Sequence, residues 1–179
     1  MNFTSTQLQG AAIIDLETIS DERGFFARSF CKQEFAVQGM KTNVMQSNIS
    51  FNHNKGTLRG MHFQHASHSE AKLVRCISGS IFDVIIDLRI ESPSYLEWFA
   101  CELTSANRKS LYIPEGFAHG FQTLEDNSEV LYQMFDSFSP LHADGIPWDD
   151  PSFNITWPLE PSCISEKDRS YLKFNDAKF

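Results

Sequence analysis

Lys72-Leu73-Val74-Arg75-Cys76-Ile77-Ser78-Gly79-Ser80-Ile81-Phe82-Asp83-Val84-Ile85-Ile86-Asp87-Leu88 is the stretch whose reading decides the fold. Two β-rich runs, Lys72 to Ile77 and Ile81 to Leu88, flank a Gly79-Ser80 turn. In the second run Phe82, Val84, Ile86 and Leu88 alternate with Ile81, Asp83, Ile85 and Asp87, the two-residue period of a pleated strand. Working outward, Trp98 to Leu103, Ser110 to Ile113, Gly120 to Leu124 and Glu129 to Phe135 read as further short strands broken by Ser, Pro, Asn and Gly turns. The spacing predicts an all-β sandwich or barrel. Helical signals are sparse: Lys32 to Gln38, stopping before Gly39, and Glu166 to Leu172. The stretch after Ser139, rich in Pro, Asp and Trp, is expected to wrap the β-structure as ordered loop.

The chain of 179 residues is expected to form a single domain over 1–179. A formal net charge of -8 and a pI of about 5.2 give no support to an extended basic surface, so nucleic acid is not an expected partner. An anionic ligand would be held by a few placed Arg and Lys side chains. The start, Met1-Asn2-Phe3-Thr4-Ser5-Thr6-Gln7, lacks the pattern of a signal peptide, and no apolar run is long enough to cross a bilayer. The expectation is a cytoplasmic protein with no membrane partner. Cys31, Cys76, Cys101 and Cys163 are scattered without a CxxC pair and read as small hydrophobes.

Three pieces carry candidate chemistry: Arg59-Gly60-Met61-His62-Phe63-Gln64, Pro114-Glu115-Gly116-Phe117-Ala118-His119-Gly120, and Val130-Leu131-Tyr132. Strand alternation puts Val130, Tyr132 and Met134 on one face, so Tyr132 is a phenol aimed inward from an apolar wall, where a hydroxyl needs a partner or a task. The same alternation groups His62 with Gly60 and Gln64. A lone inward imidazole is more often structural than catalytic. Two cations, Lys72 and Arg59, beside an imidazole and a phenol form a costly pocket unless an anionic ligand completes it, and that raises the functional reading.

The combination resembles the dTDP-4-dehydrorhamnose 3,5-epimerase family from Asp21-Glu22-Arg23-Gly24-Phe25-Phe26 to Ser165-Glu166-Lys167-Asp168. The matching pieces between include Gln46-Ser47-Asn48, Leu58 to Gln64, Lys72 to Arg75, Phe82-Asp83-Val84, Pro114 to Gly120, Tyr132, Gly145 to Pro151 and Ile155 to Pro158. Each is weak alone; their order and spacing together are specific. The resemblance implies a cupin-type double-stranded β-helix, or jelly roll, with a few short helices, and a cofactor-independent isomerase. It makes His62 the general base, Asp168 its carboxylate partner, Tyr132 the opposing acid and Lys72 the enolate stabiliser. Arg59 and His119 would help hold the diphosphate and sugar, and Gln46, Asn48 and Lys167 are carried over as substrate contacts. It also implies a homodimer in which the amino-terminal segment reaches the neighbouring subunit, bringing Arg23 and Phe26 to its nucleotide. The ligand so implied is a nucleotide-diphosphate 4-keto-6-deoxyhexose, epimerised at C5, C3 or both through an enolate.

The plainer readings remain beside these. Ser165-Glu166-Lys167-Asp168 has the form of a helix cap, which alone accounts for Asp168. Lys72 taken alone is a surface lysine at a strand start, Asp83 a buried partner for Lys72 or His119, and Phe25, Phe26 and Phe30 packing residues. His62, His65 and His68 share a three-residue spacing, but on a strand His65 points away from His62, and where metal-binding cupins carry H-x-H the second place here is Gln64. No metal and no cofactor are expected.

The match departs around the nucleotide. Arg28 stands where the family commonly has a Glu that resembles a thymine reader, Ser47 and Ile49 interrupt a Gln-Asp-Asn-His run, and Ser137-Phe138 replaces a pair of tyrosines. A guanidinium donor suits the N3 acceptor of cytosine, which gives the alternative of a CDP-linked 4-keto sugar 5-epimerase of the ascarylose type. Phe138 retains a ring able to stack on a base. A non-catalytic sugar-nucleotide-binding cupin is the reading from another class; intact His62, Lys72, Tyr132 and Asp168 argue against it.

Overall fold

The computed structural model describes residues 1–174; the last five residues of the expected 1–179 unit lie outside them. The elements run β1 (Asn2–Ser5), β2 (Ala12–Asp15), β3 (Thr18–Asp21), β4 (Gly24–Ala27), α1 (Lys32–Val37), β5 (Gln46–Asn52), β6 (Leu58–Gln64), β7 (Lys72–Ser78), β8 (Ser80–Asp87), β9 (Trp98–Thr104), β10 (Ser110–Ile113), β11 (Phe117–Thr123), β12 (Ser128–Met134), β13 (Ala143–Gly145) and α2 (Glu166–Arg169). One sheet has the order β1-β2-β10-β7-β12-β5, a second the order β13-β6-β11-β8-β9, and β3-β4 is a separate hairpin. Antiparallel sheets in this crossing order form a double-sheet jelly roll.

The stretch that opened the reading crosses from one sheet to the other. Gly79, at φ 73°, turns the chain so that β7 joins the six-stranded sheet and β8 the five-stranded one. A Cβ there would lie 2.4 Å from Ser128 Oγ, so the corner takes only glycine. The two strands therefore face each other across the core. Val74 and Cys76 of β7 meet Ile81 and Ile85 of β8, with Leu111, Val130, Phe117 and Phe121 filling the same layer.

The outer faces are covered in part. Val84 and Ile86, the other set of β8, pack with Met61, Phe63, Ile146 and Phe153, and Trp157 lies against that cluster. The segment after Ser139 thus clads the five-stranded sheet, but it is not all loop as expected: Ala143–Gly145 pairs with β6 as β13 and becomes the edge of that sheet. Phe35 of α1 covers Ile14, Leu73 and Tyr112 on the six-stranded sheet. Burying apolar side chains on both faces contributes about 25 cal/mol per Å² removed from water, which is what holds strands this short in place. α2 ends at Arg169, short of the expected Leu172.

Candidate active site

Between the sheets, toward one end, lies a cavity of about 300 Å³. Strands from both sheets contribute to it: His62 on β6 and His119 on β11 from one, Lys72 on β7 and Tyr132 on β12 from the other. His62 and His119 are register partners, so their imidazoles stand side by side on the same face. Strict alternation would aim Arg59 away from His62, yet both line the cavity. The cause is a bulge: His119 pairs with His62 and Phe121 with Arg59, three steps on β6 against two on β11. Gly60 sits inside it at φ 111°, where a Cβ would come within 2.6 Å of Gly120 Cα. The backbone of β11 presses against it, and no larger residue fits.

His62 Nε2 lies 2.7 Å from Asp168 Oδ1, and Asp168 Oδ2 accepts the Gly60 N–H at 3.1 Å. Ser165 Oγ in turn accepts the Asp168 N–H at 3.0 Å, capping α2. The cap and the carboxylate role therefore coexist: the backbone of Asp168 is capped while its side chain serves the histidine. Burial pushes this carboxyl up, but hydrogen bonding and charge from His62, the Gly60 N–H and Ser165 outweigh it and hold the carboxyl below its ordinary value. With an ionised carboxylate on Nε2–H, Nδ1 is the nitrogen left with a lone pair.

On the other sheet, Tyr132 packs against the central core. Burial raises its phenol above the ordinary value against the pull of Arg59, so it is a neutral donor near pH 7. Lys72 is nearly enclosed and meets the buried Glu70 at 2.6 Å. Asp83 pairs with His119 Nε2 at 2.8 Å, which settles between the two partners considered for it. Arg59 is oriented by Asn52 Oδ1 at 2.7 Å and by the Phe51 carbonyl at 3.3 Å, both neutral acceptors.

The cavity thus gathers His62, Lys72, Tyr132, Arg59, His119, Phe138 and Lys167, with Asp168 directly behind His62. Within one chain it does not gather Arg23, Phe26, Arg28, Gln46 or Asn48. Arg23 pairs with Asp21 and Arg28 with Glu34 on the surface, Phe26 is 70% exposed, Gln46 lies on edge strand β5, and Asn48 there packs on Met134. His65 turns to Asp144 at 3.1 Å, and His68 stacks on His142. Gln64 donates to Glu70 and to the His68 carbonyl, both at 2.9 Å.

Sequence reasoning missed Glu70, Ser50, Asp144 and Tyr171, which also line the cavity. Tyr171 stands edge-on to His62 at 6.1 Å, its phenol pushed up to about 12 by burial and by Asp168 and Asp144. Glu70 left only a faint trace in the sequence, its spacing of two from Lys72, because it precedes β7 in a polar loop.

The family profile for dTDP-4-dehydrorhamnose 3,5-epimerase matches residues 5–176. A relative of that name from Methanothermobacter thermautotrophicus is 45% identical over 172 residues, covering 94% of this chain and 92% of its own. The crystal structure of the enzyme of that name from Elizabethkingia anophelis superposes with a TM-score of 0.96 at 31% identity, covering 100% of this chain and 99% of the other. A Legionella pneumophila epimerase in complex with dTDP-4-keto-L-rhamnose gives a TM-score of 0.91 at 35% identity, covering 97% and 93%.

Proposed function

This chain belongs to the dTDP-4-dehydrorhamnose 3,5-epimerase family, and on that premise we propose that it inverts C5 and C3 of a dTDP-linked 4-keto-6-deoxyhexose by moving protons across the cavity. The observation that carries the reading is that His62 and Tyr132 line one cavity from opposing sheets. A C4 ketone acidifies the hydrogens on its neighbouring carbons. His62 Nδ1 takes one of them from one face of the sugar, and the electrons move onto the carbonyl oxygen as an enolate. Tyr132 returns a proton to the same carbon from the other face, after which solvent takes the proton held by His62 and gives one back to Tyr132. Proton transfer by a placed acid and base is worth about 10²–10⁴-fold in rate. Asp168 offsets the charge that His62 gains, and Lys72 sets a cation beside the developing oxyanion in a site that needs no reorganisation at that moment. Arg59 and His119 hold the diphosphate and sugar, Lys167 adds a cation on the same wall, and Phe138 stacks on the base.

Thymine is the base this reading adopts. The relatives' names favour it, and Arg28, the residue that pointed to cytosine, holds Glu34 at 2.8 Å in the isolated chain. Side-by-side titration with dTDP and CDP tests this, and tighter binding of CDP reverses it.

The working unit is a homodimer. In support, β5 is a sheet edge that exposes Ile49 and Phe51, and the β3–β4 hairpin exposes Ile19 and Phe26. On the outer face of β7, Arg75 has a buried Nη2 with no hydrogen-bond partner among the described residues. Burial lowers the pKa of this guanidinium, an expensive arrangement for a face turned to water. A second copy placed there brings Arg23, Phe26 and Arg28 to the neighbouring cavity. Sedimentation equilibrium of the intact chain checks the assembly; a monomer at micromolar concentration contradicts it.

A further inference from the structure

Lys72 differs from the other cations of the cavity in how it is held. Arg59 is oriented by two neutral acceptors. Lys72 has four rotatable bonds and is held by a carboxylate, Glu70 Oε1 at 2.6 Å, with the two side chains only 11% and 7% exposed. Glu70 is itself fixed. Its Oε2 accepts from Gln64 Nε2 at 2.9 Å, and Gln64 is pinned to the main chain by the His68 carbonyl at 2.9 Å and by the Ser139 N–H, which donates to its Oε1 at 2.6 Å. A chain of hydrogen bonds therefore runs from the backbone at His68 and Ser139 through Gln64 and Glu70 to the Lys72 ammonium group.

We propose that Glu70 is a positioning residue that fixes the Lys72 ammonium where the oxyanion forms. The inference rests on the epimerase reading given above. An unanchored lysine would sample several rotamers and spend part of its time away from the reacting oxygen, and a cation misplaced by about 1 Å loses much of its effect on the transition state. Glu70 lines the cavity, and the role assigned to it is exerted through Lys72. What it supplies is a carboxylate whose two oxygens accept from Lys72 and from Gln64 at once, which an amide in its place cannot do.

The test is a mutant cycle on the full chain with dTDP-4-keto-6-deoxy-D-glucose, following deuterium entry from heavy water. Glu70→Leu should lower kcat about 10- to 100-fold while KM and the affinity for dTDP stay within about threefold, since the anchor matters in the transition state and little for ground-state binding. Glu70→Gln should lose activity too, because its amide cannot accept from Lys72 and from Gln64 at once. In a Lys72→Met background, Glu70→Leu should cost nothing further, because the residue it serves is gone. A wild-type kcat in Glu70→Leu, or additive losses in the double variant, would each overturn the proposal. The same cycle read by urea denaturation needs no substrate: Lys72→Met lowers the midpoint, and Glu70→Leu added to it raises the midpoint again. Additive falls would contradict the pairing. Absence of label with the wild-type protein would reject the epimerase reading while the urea cycle still decides the Glu70–Lys72 link.

Discussion

Replacing Asp168 by Asn exchanges one carboxylate oxygen for an NH₂ group and should disable the base. The carboxylate accepts from His62 Nε2 at 2.7 Å and from the Gly60 N–H at 3.1 Å. If the amide oxygen of Asn stays on Gly60, its NH₂ faces Nε2 and donates to it, which forces the imidazole proton onto Nδ1, the atom that must be bare to take a proton from the sugar. If the amide flips, the Gly60 N–H loses its acceptor inside the bulge. The carboxylate charge that offsets the imidazolium is lost in both cases. The loss expected is that of a general base, about 10²–10⁴-fold in kcat, or roughly 3–5 kcal/mol of transition-state stabilisation. Fold stability falls by about 1–3 kcal/mol, the cost of one buried group left unsatisfied, so the protein remains folded at 25 °C. Deuterium wash-in followed by NMR gives the rate, and circular dichroism confirms the fold. A folded Asp168→Asn protein retaining wash-in within about tenfold of the wild type would refute the assigned tautomer and, with it, the basis for Nδ1 as the base.

Other outcomes follow from the same geometry. Tyr132→Phe should still exchange at least one sugar proton, since His62 is intact, but lose clean inversion; unchanged product stereochemistry removes Tyr132 from the acid role. Gly60→Ala places a methyl 2.6 Å from Gly120 Cα at a positive φ, so the urea midpoint should drop by the equivalent of about 1–3 kcal/mol, and an unchanged midpoint would show that the bulge relaxes freely. Because the Asp168 carboxyl lies below its ordinary value of 3.8 in the fold, its contribution to stability is complete above that value and is lost as pH falls through the lower, folded one. The wild type should therefore lose stability more steeply than Asp168→Asn below about pH 4, as read by denaturation at stepped pH; parallel curves would contradict the shift.

Much of this arrangement was legible in the sequence because the central strands bury their apolar side chains. The period-two pattern of Ile81 to Leu88 reports a strand directly, and the inward aim of Tyr132 follows from its apolar neighbours Val130 and Met134. The carboxylate partner of His62 was legible through the family resemblance, since Asp168 lies 106 residues away and nothing local links the two. What stayed hidden lacks a local signature. β3 is exposed along its whole length, and β5 exposes alternate apolar residues at a sheet edge, so neither shows the pattern of a half-buried strand. The bulge at Gly60 is a property of pairing with β11, and a single strand read alone does not reveal it. Glu70 precedes β7 in a polar loop where a carboxylate ordinarily means solvent; only the fold turns it inward onto Lys72.

Deuterium placement in the product tests the opposed acid and base most directly. Incubated in heavy water with dTDP-4-keto-6-deoxy-D-glucose, the wild-type protein should return a sugar labelled and inverted at C5 and C3, and His62→Ala should return it unlabelled. Label gained with retention of configuration, or undiminished label in His62→Ala, would contradict it.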